Sequence, residues 1–185
     1  NEDTLSSAVP SPDEQLILYQ GESYNPDTGI STEGLWLFDV QSSTKTEIVL
    51  SETIATNNMQ ISWSDNGDYV AFINDAGDSP LYLYDINTQV LTTIATGFEY
   101  SSSLTFANGS TQLIYERENL IYQYDISTQN IVELSLPGYN LNSVDMSPNS
   151  NHISYKQGCC DIIIYNPETQ STQNIYSSNS DLGQI

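Results

Sequence analysis

Short apolar runs separated by polar turns recur along this chain, most clearly between Trp63 and Ile94. That stretch holds a turn (Asp65–Asp68), an apolar run (Tyr69–Ile73), a polar loop (Asn74–Pro80), a second run (Leu81–Tyr84), a second turn (Asp85–Gln89) and a third run (Val90–Ile94). Runs of this length bounded by turn residues, with no 3.6-residue spacing, predict strands joined as an antiparallel meander.

The same order of parts returns three more times. The second run and its turn read Leu35–Val40, Leu81–Ile86, Ile121–Ile126 and Ile162–Pro167, each with Asp or Asn at the turn. Those turn residues, Asp39, Asp85, Asp125 and Asn166, are spaced 46, 40 and 41 apart. An aromatic closing the first run recurs as Tyr19, Phe72, Tyr115 and Tyr155, spaced 53, 43 and 40. Two markers with nearly one period, and four short β runs in each unit, predict an all-β, four-bladed β-propeller of four-stranded antiparallel blades. The blades span approximately 4–50, 59–94, 103–134 and 143–176, all in one domain, and 177–185 form a tail.

The residues also resemble the TolB-like propeller repeat. Its units carry W-S-P-D-G, an apolar strand and then L-Y-x-Y-D; here Trp63-Ser64-Asp65-Asn66-Gly67 is the nearest match. Ser11-Pro12-Asp13 and Ser147-Pro148-Asn149 keep the middle of that motif, and Phe106-Ala107-Asn108-Gly109 is degenerate. Where the family often has Gly after the second turn, this chain has Gln89, Gln129 and Gln170. The resemblance implies the fold and carries over no catalytic residue, because propellers host many unrelated functions.

Innermost strands are expected at Thr4–Pro10, Met59–Trp63, Ser103–Phe106 and Ser143–Met146; Pro10 makes the first a weak or edge strand. Third strands such as Leu81–Tyr84 and Ile162–Tyr165 are apolar on both sides, as stacked sheets require. An open arc would bare two blade faces of roughly 500 Å² each, forfeiting on the order of 12 kcal/mol per face, so a closed ring is expected. Meander parity puts the connections from second to third strand on one end with the links between blades. That end gathers Gly21–Gly34, read as the longest loop within a blade, with Asn74–Pro80, Glu116–Asn119 and Gln157–Asp161.

Composition narrows the chemistry. Three basic residues, Lys45, Arg117 and Lys156, face 24 acidic ones, for a formal charge of −21. Such a surface repels nucleic acid and anionic membranes. No apolar run reaches the ~18 residues of a membrane span, so no membrane insertion is expected. The start at Asn1 rather than Met fits a mature form after signal removal or an otherwise trimmed chain, and abundant Ser, Thr, Asn, Gln and Tyr with little Lys suits an extracellular or cell-surface protein.

Candidate chemical residues are few. The sole histidine, His152, has no motif partner for general-base work. Asp39, Asp85 and Asp125 recur at one turn, which points to Asx-type capping of the backbone rather than catalysis. Asn74–Asp78 lacks the spacing of a calcium loop, so no metal or cofactor is expected. Asn108-Gly109-Ser110 is a glycosylation sequon. Cys159 and Cys160 are adjacent. They stand as two packed thiols, a strained vicinal disulfide or bonds to another chain, because ~3.8 Å between neighbouring Cα atoms is short for a bridge.

The expected function is a non-catalytic structural or interaction subunit that binds a protein partner or itself, as an oligomer or filament. Tyr24, Asp27, Glu33, Asp75, Asp78 and Arg117 are the candidate partner contacts on the long-loop end, with Arg117 expected to pair with Glu116 or Glu118. Leu182 and Ile185 are candidates for self-assembly through the tail. A ligand-binding, carbohydrate-active or peptidase-associated propeller is the alternative.

Overall fold

A computed structural model describes residues 4–25, 27–48, 54, 59–74, 77–98, 103–107, 109–136, 141–147, 152–158, 160–166 and 169–177, with backbone alone for 4–6, 23–25, 30–32 and 141–142. Among these residues there is no helix, and the strands form four four-stranded antiparallel sheets. Blade 1 comprises β1 (Thr4–Pro10), β2 (Leu16–Asn25), β3 (Ile30–Asp39) and β4 (Thr44–Ile48). Blade 2 comprises β5 (Gln60–Trp63), β6 (Tyr69–Ile73), β7 (Leu81–Asp85) and β8 (Val90–Ala95). Blade 3 has β9 (Leu104–Ala107), β10 (Gln112–Arg117), β11 (Leu120–Asp125) and β12 (Ile131–Leu134). Blade 4 has β13 (Leu141–Met146), β14 (Ile153–Gln157), β15 (Asp161–Asn166) and β16 (Ser171–Tyr176). Each sheet is a simple meander, with β1 and its Pro10 at an edge as expected.

The recurring aromatic has a partner. Tyr19 lies opposite Trp36, Phe72 opposite Tyr82, Tyr115 opposite Tyr122 and Tyr155 opposite Ile163. In the first three blades the rings meet at centroid distances of 5.6, 5.4 and 5.5 Å. Such cross-strand aromatic pairs hold second and third strands in register.

Two compact units divide the chain, residues 1–100 with blades 1 and 2 and residues 101–185 with blades 3 and 4. In the first, Leu18, Leu35, Leu37 and Ile48 of blade 1 pack against Val70, Phe72, Tyr82 and Tyr84 of blade 2. The indole Nε1 of Trp63 donates to the Val9 carbonyl at 3.2 Å, tying the two innermost strands. In the second unit, Ile114 and Ile121 of blade 3 pack with Ile153, Tyr155 and Ile163 of blade 4. There Val144 N donates to Ser103 Oγ at 2.8 Å. In both units an aliphatic face thus receives the next blade's aromatic-bearing face.

Tyr82 and Leu83 are both buried, so β7 is covered on both sides as its composition requires. The same expectation fails for β15. Ile163 is buried, but Ile162 on the opposite side is 45% exposed, because no described residue covers it.

The turn after each third strand explains the repeated Asp. Asp39 Oδ1 accepts from Ser42 N at 2.8 Å, Asp85 Oδ1 from Asn87 N and Thr88 N at 2.9 and 3.0 Å, and Asp125 Oδ1 from Thr128 N at 2.8 Å. Asn166 Oδ1 does the same for Thr169 N at 3.1 Å. The residue four places on is left-handed in all four blades: Ser43, Gln89, Gln129 and Gln170 have φ of 56°, 57°, 58° and 54°. The glutamines therefore occupy the conformation that glycine adopts without steric cost. A left-handed L-residue costs about 1–2 kcal/mol, and glycine returns about 0.4–1 of that through unfolded-chain entropy. Gln129→Gly is thus expected to be neutral to stabilising by about 1 kcal/mol, and Gln129→Val destabilising, in urea unfolding. The opposite order would refute the strain assignment.

Candidate functional site

The segment Gly21–Gly34, read from sequence as a loop, is a β-ribbon. β2 and β3 continue their pairing through Gly21–Gly34, Glu22–Glu33, Ser23–Thr32, Tyr24–Ser31 and Asn25–Ile30. The pairing of β1 to β2 ends at Thr4–Glu22, and the described pairing of β4 begins at Leu35. Residues 23–32 therefore extend beyond the described four-stranded part of blade 1. A turn at 27–29 closes the ribbon, with Gly29 at φ +69°. The sequence hid the strands because polar residues dominate both arms, so no alternation of apolar and polar residues marks them.

Where the ribbon leaves the blade, Gly34 lets Trp36 fold back over the sheet. A Cβ on Gly34 would overlap Trp36 ring atoms Cζ2 and Cη2. The Trp36 ring is 5% exposed, stacked on Tyr19 and capped by Lys45 Nζ at 4.5 Å from its centroid. One of the chain's three cations is thereby engaged with an aromatic face. Spacing of two residues puts Gly34 and Trp36 on one side of β3, a signal readable in sequence.

The ribbon turn carries Asp27, which is exposed, and Glu33 is exposed on β3 directly opposite Glu22. Tyr24 lies on β2, with only its backbone described. Asp78 is exposed in the connection from β6 to β7, where its carbonyl accepts from Gly97 N at 2.6 Å. Asp27 and Asp78 therefore both stand at the second-to-third-strand end of their own blades. Asp75, Asn108, Cys159, Leu182 and Ile185 lie outside the described residues; Cys160 is half-buried.

Glu116–Asn119, also read as a loop, is mostly strand. Glu116 and Arg117 end β10, and only Glu118 and Asn119 form the turn, with φ of 55° and 62°. Positive φ at both positions is the hairpin geometry that matches strand twist, and it occurs here without glycine. Arg117 pairs with Glu118, Nη2 to Oε1 at 3.3 Å, and side-chain exposures of 34% and 61% keep that pair weak. Glu116 is buried, and its Oε1 accepts from Asn119 N at 3.2 Å, a structural role that nothing in the sequence singled out.

Carboxylates at the opposite end serve the backbone. The hydroxyls and amides of Ser11, Ser42, Ser127 and Thr128 hold Asp13, Asp39 and Asp125 below the usual carboxylate range. His152 Nε2 lies 3.3 Å from Asn166 Nδ2. Burial pushes the Tyr115 hydroxyl up to about 12. Among the described residues no group of three or more His, Cys, Asp or Glu could hold a metal ion. No described helix is long and apolar enough to cross a membrane.

Because those carboxylates titrate lower in the folded chain, their stabilisation is present above the unfolded value of 3.8 and is lost as pH falls through the folded values. Asp125→Asn keeps an acceptor at the turn, as Asn166 does naturally, but removes one linked proton. Its urea midpoint is expected to fall less steeply than the parent's below about pH 4. Parallel curves would remove Asp125 from the acid transition.

These four meander sheets are blades of a β-propeller. No family model and no curated protein matches the sequence. Among solved structures, the fold is similar to TolB from Acinetobacter baumannii, at TM-score 0.63 and 17% identity over 93% of this chain and 43% of that one. It is also similar to the β-propeller domain of the Trilobed protease from Pyrococcus furiosus (TM-score 0.62, 13% identity, 95% of this chain and 57% of that one). The RRP9 WD40 repeats match at TM-score 0.63 and 14% identity, over 96% and 52%. The chain thus spans about half the length of the structures it matches. At such identities the likeness is one of fold.

Proposed function

We propose that this chain is a TolB-like, non-catalytic propeller that works by association, as a secreted or cell-surface interaction subunit that also binds its own kind. The observation that carries the reading is the ribbon of blade 1. Among the described residues it is the largest departure from a repeat otherwise made of turns, aromatic pairs and stacking faces. A rigid scaffold with one projecting segment is a common way to present a binding surface.

The chemistry of the polar residues supports a role without catalysis. Asp13, Asp39 and Asp125 are tied to backbone or hydroxyl groups and are more acidic than free carboxylates. General bases need the reverse, a pKa raised toward neutrality. Asp27, Glu33 and Asp78 are exposed at the second-to-third-strand end of blades 1 and 2 and suit a cationic protein surface by charge. The contribution of Tyr24, Asp75 and Arg117 belongs to the same proposal.

Site-specific photo-crosslinking in the native source tests it. A crosslinker at Asp27 is expected to yield adducts, and one at Asn87, in a turn at the other end of blade 2, none. Adducts from Asn87 alone would put the working surface at the wrong end. Replacing 23–32 by a two-residue turn is expected to abolish the Asp27-side adducts while changing the melting temperature little, since those residues bring no described core side chain.

A further inference from the structure

We propose that the outer edge of β16 pairs antiparallel with the same edge of a second copy of this chain, joining two fourth blades across a two-fold axis. The inference rests on the self-association reading above and names its surface.

Each blade has an outermost strand, β4, β8, β12 or β16, with no described strand on its far side. Such an edge presents unpaired N–H and C=O groups, which proteins guard with charges, bulges or cover. β4 carries Lys45 and Glu47, and β12 carries Glu133. β8 and β16 carry no charge. On β8, Leu91, Thr92, Ile94 and Ala95 are partly buried, whereas all six residues of β16 are exposed. Both strands contain a bulge. In β16, Tyr176 faces Ile162 and Asn174 faces Ile163, so Ile175 is the extra residue. That bulge lies near the strand's end and leaves Ser171–Asn174 in regular pairing with Ile163–Asn166. β16 is therefore the least guarded outer edge.

Apolar surface adjoins it. Ile162 and Tyr176 form a cross-strand pair 45% and 55% exposed, and Ile175 is 51% exposed. Burying these side chains against a copy adds hydrophobic gain to the backbone hydrogen bonds.

Charge selects the occupant. Two chains of formal charge −21 repel wherever their carboxylates face each other. β16 has none, so a second copy approaches there at least electrostatic cost. A basic partner, by contrast, would gain no charge pairing from this strand. An antiparallel strand is also its own complement under a two-fold rotation, which makes the contact closed and isologous.

Light scattering on the full chain, Asn174→Glu, Asn174→Lys and an equimolar mixture of the two variants tests the proposal. Asn174 is exposed, and circular dichroism verifies that each variant is folded. With the two-fold axis set at Asn174, the parent is expected at twice 20.5 kDa and each variant alone at 20.5 kDa, because that register puts like charges opposite each other across the paired strands. The mixture should return to the dimer mass, since unlike charges face each other. A mixture that stays monomeric overturns the two-fold pairing. If Asn174→Glu keeps the parent's mass, the β16 edge is wrong while the self-association reading stands. A monomeric parent overturns both. Removing 177–185 is expected to leave the dimer intact; loss of the dimer on that deletion, with Asn174→Glu unaffected, would move the contact to the tail.

Discussion

Trp36→Ala is expected to cost about 3–5 kcal/mol in unfolding free energy, the largest single effect foreseen in blade 1. The substitution empties a site in which the indole is stacked on Tyr19, capped by Lys45 and laid over Gly34. Gly34→Ala attacks the same arrangement from below. Its methyl group meets ring atoms of Trp36, and overpacking of this kind costs about 1–3 kcal/mol. The two effects are not independent, because the clash exists only while the indole is present. The double variant should therefore cost less than the sum of the singles, by an amount urea denaturation resolves. Strict additivity would show that Gly34 is not there for Trp36.

Ser64→Ala is the second large effect. Ser64 is fully buried at the start of the first turn of blade 2. Its hydroxyl accepts from Tyr69 N at 2.9 Å, while its single proton lies between Asn66 Oδ1 at 2.8 Å and the Tyr69 carbonyl at 3.0 Å. Alanine leaves the Tyr69 amide without that acceptor, which costs about 1–3 kcal/mol for a buried group. Ser42 is the contrast: it is exposed, and its hydroxyl meets that of Thr44 at 2.7 Å and the exposed Asp39 carboxylate. Ser42→Ala should stay within about 0.5 kcal/mol of the parent. Equal losses at the two positions would contradict the role given to burial. Ser11 repeats the arrangement in blade 1, its Oγ donating to Asp13 Oδ1 at 2.6 Å and accepting from Leu16 N at 2.9 Å. The S-x-[DN] element of the repeat is thus a hydroxyl-centred turn.

Why some features were legible and others not follows from what each residue does. Tyr19, Phe72 and Tyr115 recur because each packs against a cross-strand aromatic, and Asp39, Asp85 and Asp125 recur because each accepts amide protons in one turn. Repetition exposes such roles without any structure. Gln89 and Gln129 gave no local sign of left-handed backbone; only their alignment with the family's glycine pointed there. The ribbon of blade 1 was invisible to hydrophobic patterning, since its arms are held mainly by backbone pairing between polar residues. Ile162 misled for the opposite reason: its apolar character predicted cover, yet it is exposed beside the outermost described strand of its blade. Parity of the meander placed Asp27 and Asp78 at one end of their blades, but sequence spacing could not tell a projecting ribbon from a loop.

The self-association proposed for this propeller is read from sedimentation equilibrium of the unmodified chain from micromolar to hundreds of micromolar. The weight-average mass is expected to rise with concentration above the 20.5 kDa of one chain. A mass of 20.5 kDa at every concentration would contradict it.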